Sequence, residues 1–468
     1  MNSRDDAIRI WKAGVAAVDS TRLTASQIRL DGDWLVVCGR RFRMSALRRI
    51  EVVGAGKAGA GMAAGVEQAL ASCPSSCQIS GWVNVPSDCV RALTRIHLHA
   101  ARPPGINEPT AAGVAGTAEI LRRVQELGPD DLCLTLISGG ASALLCQPPP
   151  AVSLERKLAV TRALAADGAP IDELNLVRTQ LSMVKGGQLA AACRAGTLIA
   201  LVISDVVGDP LPIIGSGPTV ASPSTARDAL KVLERRGLLD GRIPAEVTEF
   251  LREQALRQAQ DVTQGRTSAG PRCEVLNQII GSTATAMAAA KDEAIDLGYT
   301  VIMLGSDNQG EAAEEGRKLF RLMRQMRCRD AAAESPGVAT TSDRLCLLSG
   351  GEPTVKLAPV SVPRLGGRNQ ELVLAALAEA PEPEIWRGLT LLSGGTDGED
   401  GPTDAAGAVA DASIVRTMRA LQLNPSEALR INNSCPILRT LGALLVIGPT
   451  HTNVMDLRVG LVTAQDDR

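Results

Sequence analysis

The sequence predicts an α/β protein of two domains, and three observations carry that prediction. At 468 residues the chain is longer than a single core normally organises. Short apolar runs alternate with longer Ala/Leu/Arg/Glu-rich segments, the pattern of strands and crossover helices around a parallel sheet. Nearly every apolar run then passes directly into Gly, Ser, Thr or Asp. In an open parallel sheet those loops fall at the carboxyl edge, where ligands bind and helix N-termini offer N–H groups to anions.

The strand candidates are 49–53, 79–85, 132–137, 198–203, 275–280, 300–304, 345–348, 389–392 and 443–447, with His97 and His99 on a further strand. Residues 1–20 carry charges among apolar residues at helical spacing and predict an amphipathic helix. The polar stretch 252–272 is the expected linker, dividing a Rossmann-like domain over 1–268 from a second α/β domain over 269–468. The Ala/Ser/Pro-rich stretch 327–342 reads as an exposed excursion of the second domain.

Composition excludes several classes of function. A hydrophobic content of 45% with 21% charged residues is that of a folded chain. A net charge of -2 gives no basic field for nucleic acid, and 2% aromatic residues give little for base stacking or a membrane-interface belt. The eleven cysteines lack a CxxC pair, which argues against a zinc or redox motif and suits a reducing cytoplasm. No apolar signal region opens the chain, and the most apolar stretch, 197–215, is broken by Asp205, Asp209, Pro210 and Pro212, so neither secretion nor membrane insertion is expected.

The loops carry the chemistry. Gly54-Ala-Gly-Lys-Ala-Gly59 follows a strand and opens a helix, which matches GxGxxG formally, yet the next strand ends in Asn84-Val85, with Asp88 late, where a nicotinamide site places its ribose-binding acid. The Gly-Lys-Ser/Thr order of a P-loop is also missing. Either a plain tight turn or an anion site fits, and Lys57 beside a helix N-terminus favours an anion between them. Ser138-Gly-Gly-Ala-Ser142 is either a strand-to-helix turn or a nest of N–H groups and hydroxyls for a carboxylate or phosphate. Arg178, Ser182 and Lys185 stand three to four apart, on one face of a helix that is either solvated or turned to substrate.

Asp205 and Asp209 end a very apolar strand, so they must be paired, capped or metal-bound. Asp397, Asp400 and Asp404 raise the same question. Their spacing fails the EF-hand pattern, while oxygen ligands beside phosphate suit magnesium, and for Asp400 an acidic surface loop is the alternative. Arg368, opening a helix after two glycines, is a natural bidentate clamp for phosphate or carboxylate. No Gly-x-Ser-x-Gly hydrolase elbow occurs.

Taken together the loops resemble the glycerate 2-kinase family that carries a C-terminal MOFRL domain. The stretches are GAGKAGAGMA at 54–63, LISGGASALL at 136–145, ELNLVRTQLSMVKGGQLA at 173–190, ISDVVGDPLPIIGSGPTV at 203–220, LSGGEPTV at 348–355, GGRNQEL at 366–372, LLSGGTDGEDGPTDAAGAV at 391–409 and GPTHTNVMDL at 448–457. Departures from the family pattern are Ala141 where glycine is usual, Gly215 where alanine is, and His451 in a loop that usually has glycine.

The resemblance implies a cytoplasmic two-domain enzyme with an interdomain active site that converts D-glycerate and ATP to 2-phosphoglycerate with Mg²⁺. A homodimer is compatible with it. Lys57 and Arg368 match the family's catalytic cations; on that basis they are assigned to the phosphates, and Gly54, Gly56, Gly59, Ser349, Gly350, Gly351, Thr396 and Asn453 to the nucleotide. Asp205 and Asp397 become metal ligands, with Asp205 also a candidate to take the hydroxyl proton. Ser138, Gly139, Gly140, Ser142, Arg178 and Lys185 become the carboxylate site. The competing expectation is an NAD(P)H-dependent hydroxypyruvate reductase using Gly54 to Gly59; a further one is a sensor that binds a phosphorylated metabolite without turnover.

Overall fold

A computed structural model of the chain describes residues 2–106, 108–264, 270–332, 344–359 and 362–463. It divides into two compact units, one of Ser20–Ile280 and one of Met1–Asp19 with Gly281–Arg468.

The unit Ser20–Ile280 is built on six strands: β1 Arg49–Ala55, β2 Gln78–Pro86, β3 Ile96–Arg102, β4 Asp131–Ile137, β5 Thr197–Ile203 and β6 Glu274–Gly281. Their order, β3-β2-β1-β4-β5-β6, is that of a Rossmann doubly wound sheet, and the strands from β3 to β5 pair in parallel. Strands β1, β4 and β5 are buried almost end to end, as expected where helices cover both faces. The one charge inside β1, Glu51, is satisfied by Arg49, by Arg123 at 2.8 Å and by the Ser80 hydroxyl at 2.6 Å. A short meander, Ile28–Asp31, Trp34–Val37 and Arg40–Arg43, precedes the sheet; its outer strands are charged, and its apolar run, Trp34–Val37, is only four residues long.

The expected boundary at 268 lies outside the described residues, and the unit ends at Ile280 because β6 completes this sheet. Part of the expected linker is ordered helix, Ala245–Thr263, whose Val247 and Leu251 join a buried cluster with Val160, Leu164 and Val177.

The other unit carries β7 Thr300–Met303, β8 Arg344–Gly351, β9 Leu389–Gly395, β10 Gly407–Asp411, β11 Leu444–Leu445 and β12 Asp456–Thr463, in the order β7-β8-β12-β9-β10-β11. This sheet is mixed. Strand β12 runs antiparallel between β8 and β9, so its first residue, Asp456, lies opposite both Gly351 and Gly395, where those two strands end. The loop entering β12 therefore reaches the same edge as the loops leaving β8 and β9. The amphipathic helix expected at the N-terminus forms over Ser3–Ala17 and belongs to this unit. It buries Ala7, Ile10 and Trp11 against Leu392, Leu457 and Val459, and the Trp11 indole donates to the Gly394 carbonyl at 3.2 Å. The excursion expected at 327–342 is helix up to Ala332 and lies outside the described residues beyond it. Among the described residues no helix is long and apolar enough to cross a membrane.

Candidate active site

In the unit Ser20–Ile280 the strand order reverses between β1 and β4, the position where doubly wound sheets open a crevice. The loops leaving those strands lock together. The Lys57 N–H donates to the Gly139 carbonyl at 2.8 Å and the Ala58 N–H to the Ser138 hydroxyl at 3.1 Å. Gly56, at φ +149, leaves room for that hydroxyl; a Cβ there would sit 2.0 Å from it. Two N–H groups that a dinucleotide fingerprint would turn to pyrophosphate are thus engaged within the fold. Gly54 and Gly59 have packing reasons of their own, since a Cβ would lie 2.1 Å from the Leu136 carbonyl oxygen and 3.0 Å from Val83 respectively. Beyond them Gly140, at φ +80, faces the Lys57 stem at 3.5 Å and the Arg102 guanidinium at 3.4 Å from its absent Cβ.

The far end of the same loop meets a group of cations. Ser142 Oγ accepts from Arg178 at 2.7 Å and from Lys185 Nζ at 2.8 Å, and lies 3.0 Å from Ser216 Oγ. Lys185, only 1% exposed, also donates to the Ser142 carbonyl at 2.9 Å and to Ser216 Oγ at 3.1 Å. Burial pushes its amine well below the ordinary lysine range, and the charges of Arg178 and Lys157 act in the same direction. Lys157, 2% exposed, donates to the Leu181 carbonyl at 2.8 Å and is lowered by burial as well.

Arg178 and Lys185 do converge, though not along one helical face. The helix Ile171–Gln180 stops before Ser182, whose hydroxyl accepts from the N–H of Val184 and of Lys185, and a turn then brings Lys185 back. That turn is held by hydrogen bonds from Gly186 N to the Ser216 carbonyl and from Gly187 N to the Gly217 carbonyl. The Gly215–Gly217 turn is left-handed throughout, including Ser216 at φ +65, a strained placement of the kind found at binding sites. Gly215 and Ala141 face each other here, since a Cβ on Gly215 would lie 3.3 Å from that of Ala141. Asp205 is half-buried after β5, at the same sheet edge.

In the other unit, Arg368 opens the helix Arg368–Glu379. Its guanidinium donates from Nε and Nη2 to the two carboxylate oxygens of Asp456 at 2.6 and 2.9 Å, and from Nη1 to Glu352 at 2.7 Å. Asp456 is fully buried, so this is a desolvated fork-on-fork pair. Burial alone would weaken the charge on Arg368, but Asp456 outweighs it and strengthens its hold on the proton. A second buried arginine, Arg458, reaches Ser349 Oγ at 3.4 Å and the Gly351 carbonyl at 3.1 Å, which ties down the Ser349-Gly350-Gly351 end of β8. Gly351, at φ +122, packs against Asn308.

Thr396 lies in the fold rather than on its rim: its hydroxyl donates to the Met455 carbonyl at 2.7 Å and accepts from the Val454 N–H at 2.9 Å. Asn453 accepts from Met455 N at 3.2 Å, and the Asp397 carboxylate from Glu399 N at 3.2 Å. The Thr396 contacts fasten the 448–455 loop to the turn after β9, and the other two are internal to their own loops. His451 there takes φ +57, the left-handed region that glycine enters freely, which gives a physical reason for glycine being usual at this position.

Asp400 is not a surface carboxylate. It is 2% exposed and caps the Arg368 helix, accepting from Asn369 N at 3.0 Å and Gln370 N at 2.8 Å. Desolvation pushes its carboxyl up to about 7, against the pull of those N–H groups. The fold therefore holds a proton that the unfolded chain releases near the ordinary aspartate value, and this contribution to stability is lost as pH rises from about 4 to about 7. Asp400→Asn, which keeps an acceptor oxygen without the charge, is expected to gain on the wild type by on the order of 1–4 kcal/mol between pH ~5 and pH ~7.5. Urea midpoints at the two pH values measure this; a wild-type-to-variant difference that does not move with pH contradicts it.

Arg102, Lys157, Ser216, Asp456 and Arg458 are site residues that sequence reasoning missed. Only Ser216, inside a Gly-Ser-Gly turn, and Asp456, at the end of a recognised stretch, left a signal that could have been followed. Among the described residues no group of three or more His, Cys, Asp or Glu is placed to hold a metal by itself.

A doubly wound sheet with a cluster of basic side chains at its switch point, joined in one chain to a mixed sheet edged by a clamped arginine, is the layout of a two-unit α/β enzyme. Family models match this layout: "Domain of unknown function (DUF4147)" over residues 6–252 and "MOFRL family" over 345–456. The chain belongs to the glycerate 2-kinase family, in which these two regions follow one another. It is 37% identical to the D-glycerate 2-kinase of Thermotoga maritima, over 76% of this chain and 78% of that one. It is 38% identical to a putative hydroxypyruvate reductase of Agrobacterium vitis, over 88% and 87%. The crystal structure of a glycerate kinase from Thermotoga maritima superposes with a TM-score of 0.77 at 31% identity, covering 98% of this chain and 99% of that one.

Proposed function

We propose that the protein is an ATP-dependent glycerate 2-kinase that transfers the γ-phosphoryl group to the C2 hydroxyl of D-glycerate. The observation that carries this reading is the cluster of Arg178, Lys185 and Lys157 behind Ser142 and Ser216, one loop away from Lys57. Buried cations facing hydroxyl groups suit a small substrate with a carboxylate. Phosphoryl transfer needs positioning and charge neutralisation more than covalent chemistry, and Lys57 and Arg368 are the cations assigned to the phosphate oxygens.

Arg178 and the hydroxyls of Ser142 and Ser216 take the carboxylate in this reading, and the Ser138-Gly139-Gly140 turn orients the substrate beside Lys57. The Ser349-Gly350-Gly351 end of β8, with Asn453, is assigned to the nucleotide. Gly54, Gly56, Gly59 and Thr396 support those loops from within, as their packing and hydrogen bonds indicate. Mg²⁺ bound with ATP would neutralise phosphate charge; it commonly keeps waters and takes only one or two protein carboxylates. Asp205 and Asp397, single carboxylates at sheet edges, fit that donor requirement. Asp205 is also the group proposed to accept the hydroxyl proton. Ten of the eleven cysteines are seen as free thiols, which supports a cytoplasmic location.

The reductase reading of the Agrobacterium vitis relative finds less support. The N–H groups of Lys57 and Ala58 are engaged by the Ser138 loop, and β2 ends without an acid, its Asn84 being buried and bonded to the Leu144 carbonyl at 2.9 Å. Phosphate transfer from γ-labelled ATP to D-glycerate, together with no loss of 340 nm absorbance from NADH and hydroxypyruvate, is the expected pair of results. Sustained NADH oxidation without phosphate transfer would reverse the assignment, and binding without either turnover would make the protein a sensor.

A further inference from the structure

Lys157, Arg178 and Lys185 come from three different segments and crowd one buried spot: the helix Leu154–Ala166, the helix Ile171–Gln180 and the turn after it. Among the described residues none of the three has a carboxylate within ion-pair distance. The other groups facing them are the hydroxyls of Ser142 and Ser216, the carbonyls of Ser142 and Leu181, the side-chain oxygen of Asn175, which accepts from Arg178 at 3.4 Å, and the thiol of Cys146. Two buried lysines beside a half-buried arginine, without a counterion, are not all kept charged when one of them can release its proton. Arginine does not, and Lys185, the deepest amine with the two others as neighbours, is the group that gives way.

We propose that an anion docking on Arg178, Ser142 and Ser216 enters together with a proton from solvent, which Lys185 receives. As a neutral amine, Lys185 has two N–H groups for its three oxygen neighbours, so one serine hydroxyl must donate to it. As an ammonium it donates to all three, at 2.9 Å to the Ser142 carbonyl, 2.8 Å to Ser142 Oγ and 3.1 Å to Ser216 Oγ. The released hydroxyl hydrogen then turns to the incoming anion. The incoming charge supplies the missing counterion, so one step settles both the buried charge and the direction of the hydrogen bonds. Lys185 is thus a positioning residue, and Lys157 sets its proton affinity. That the anion is the substrate carboxylate rests on the kinase reading; the proton coupling does not.

The test is calorimetric titration of the full chain with D-glycerate, and separately with sulfate, in two buffers of different ionisation enthalpy between pH ~6 and pH ~10. The wild type is expected to take up a proton on binding, approaching one per site, with affinity falling up to about tenfold per pH unit on the alkaline side of the transition. Lys185→Met should abolish the uptake, and Lys157→Met should move it to higher pH because Lys185 then holds its proton more strongly. Should Lys185→Met fail to fold, the wild type and Lys157→Met decide the matter. Binding heats independent of buffer at every pH, or no binding of either probe, overturn the proposal. Sulfate bound with proton uptake and D-glycerate not bound at all would uphold the coupling and defeat the substrate assignment.

Discussion

Replacing Arg368 by alanine is expected to lower kcat by about 10³-fold or more, the scale on which removing a transition-state cation acts in phosphoryl transfer. The fold loses something as well, because the partner left behind is Asp456, a fully buried carboxylate held at 2.6 and 2.9 Å. An uncompensated charge there costs about 3–5 kcal/mol. Arg368→Lys separates the two effects. It keeps a positive charge near Asp456, so the thermal midpoint should recover most of its value, but a single ammonium cannot hold Asp456 and Glu352 while presenting a planar edge to phosphate. Its kcat should stay at least about tenfold below wild type. A lysine variant with wild-type kcat would show that Arg368 only fastens β12 to the helix Arg368–Glu379.

Lys57→Ala carries the second large expectation, a fall in kcat of about 10³- to 10⁵-fold. The backbone hold on the loop, from the Lys57 N–H to the Gly139 carbonyl, is retained by alanine, and the side chain is half-buried at the switch-point crevice, so the loop should keep its place. Unfolding midpoints close to wild type with turnover nearly gone is the predicted combination, measured by urea titration and steady-state kinetics on one preparation. Loss confined to KM for ATP, with kcat intact, would make Lys57 a ground-state binding group only. A kcat within about tenfold of wild type would remove it from the chemistry.

The Rossmann-like sheet was legible because its central strands are buried on both faces and so appear as unbroken apolar runs, as at 132–137 and 198–203. The loops were legible because left-handed turns and close approaches require glycine, as at Gly56 and Gly140. Strand β12 was not, although it lies at the centre of its sheet. Its sequence, Asp456-Leu-Arg-Val-Gly-Leu-Val-Thr463, interrupts the apolar pattern with Arg458, which the fold buries for the hydrogen bonds it makes to β8, and with Gly460, whose absent side chain makes room for Met323. Strand β10, Gly407–Asp411, is built mostly of small residues and is not among the strand candidates.

Charges within the candidate site were harder to place than its glycines. Lys157 sits in Leu-Glu-Arg-Lys-Leu-Ala-Val, which reads as an ordinary solvated helix; only packing of the helices Leu154–Ala166 and Ile171–Gln180 buries it. Asp456 pairs with an arginine 88 positions earlier, a separation over which sequence spacing carries no geometric information. The membership of Ser3–Ala17 in the unit of residues 281–468 is a long-range packing choice of the same kind, decided by where Trp11 finds a partner for its indole N–H.

The most direct measurement is identification of the product by phosphorus NMR after incubating the protein with ATP, Mg²⁺ and D-glycerate. Equal amounts of ADP and 2-phosphoglycerate are the predicted outcome, with the second signal absent when D-glycerate is left out. ATP and glycerate both recovered unchanged at high protein concentration would contradict the assignment of this chain as a glycerate 2-kinase.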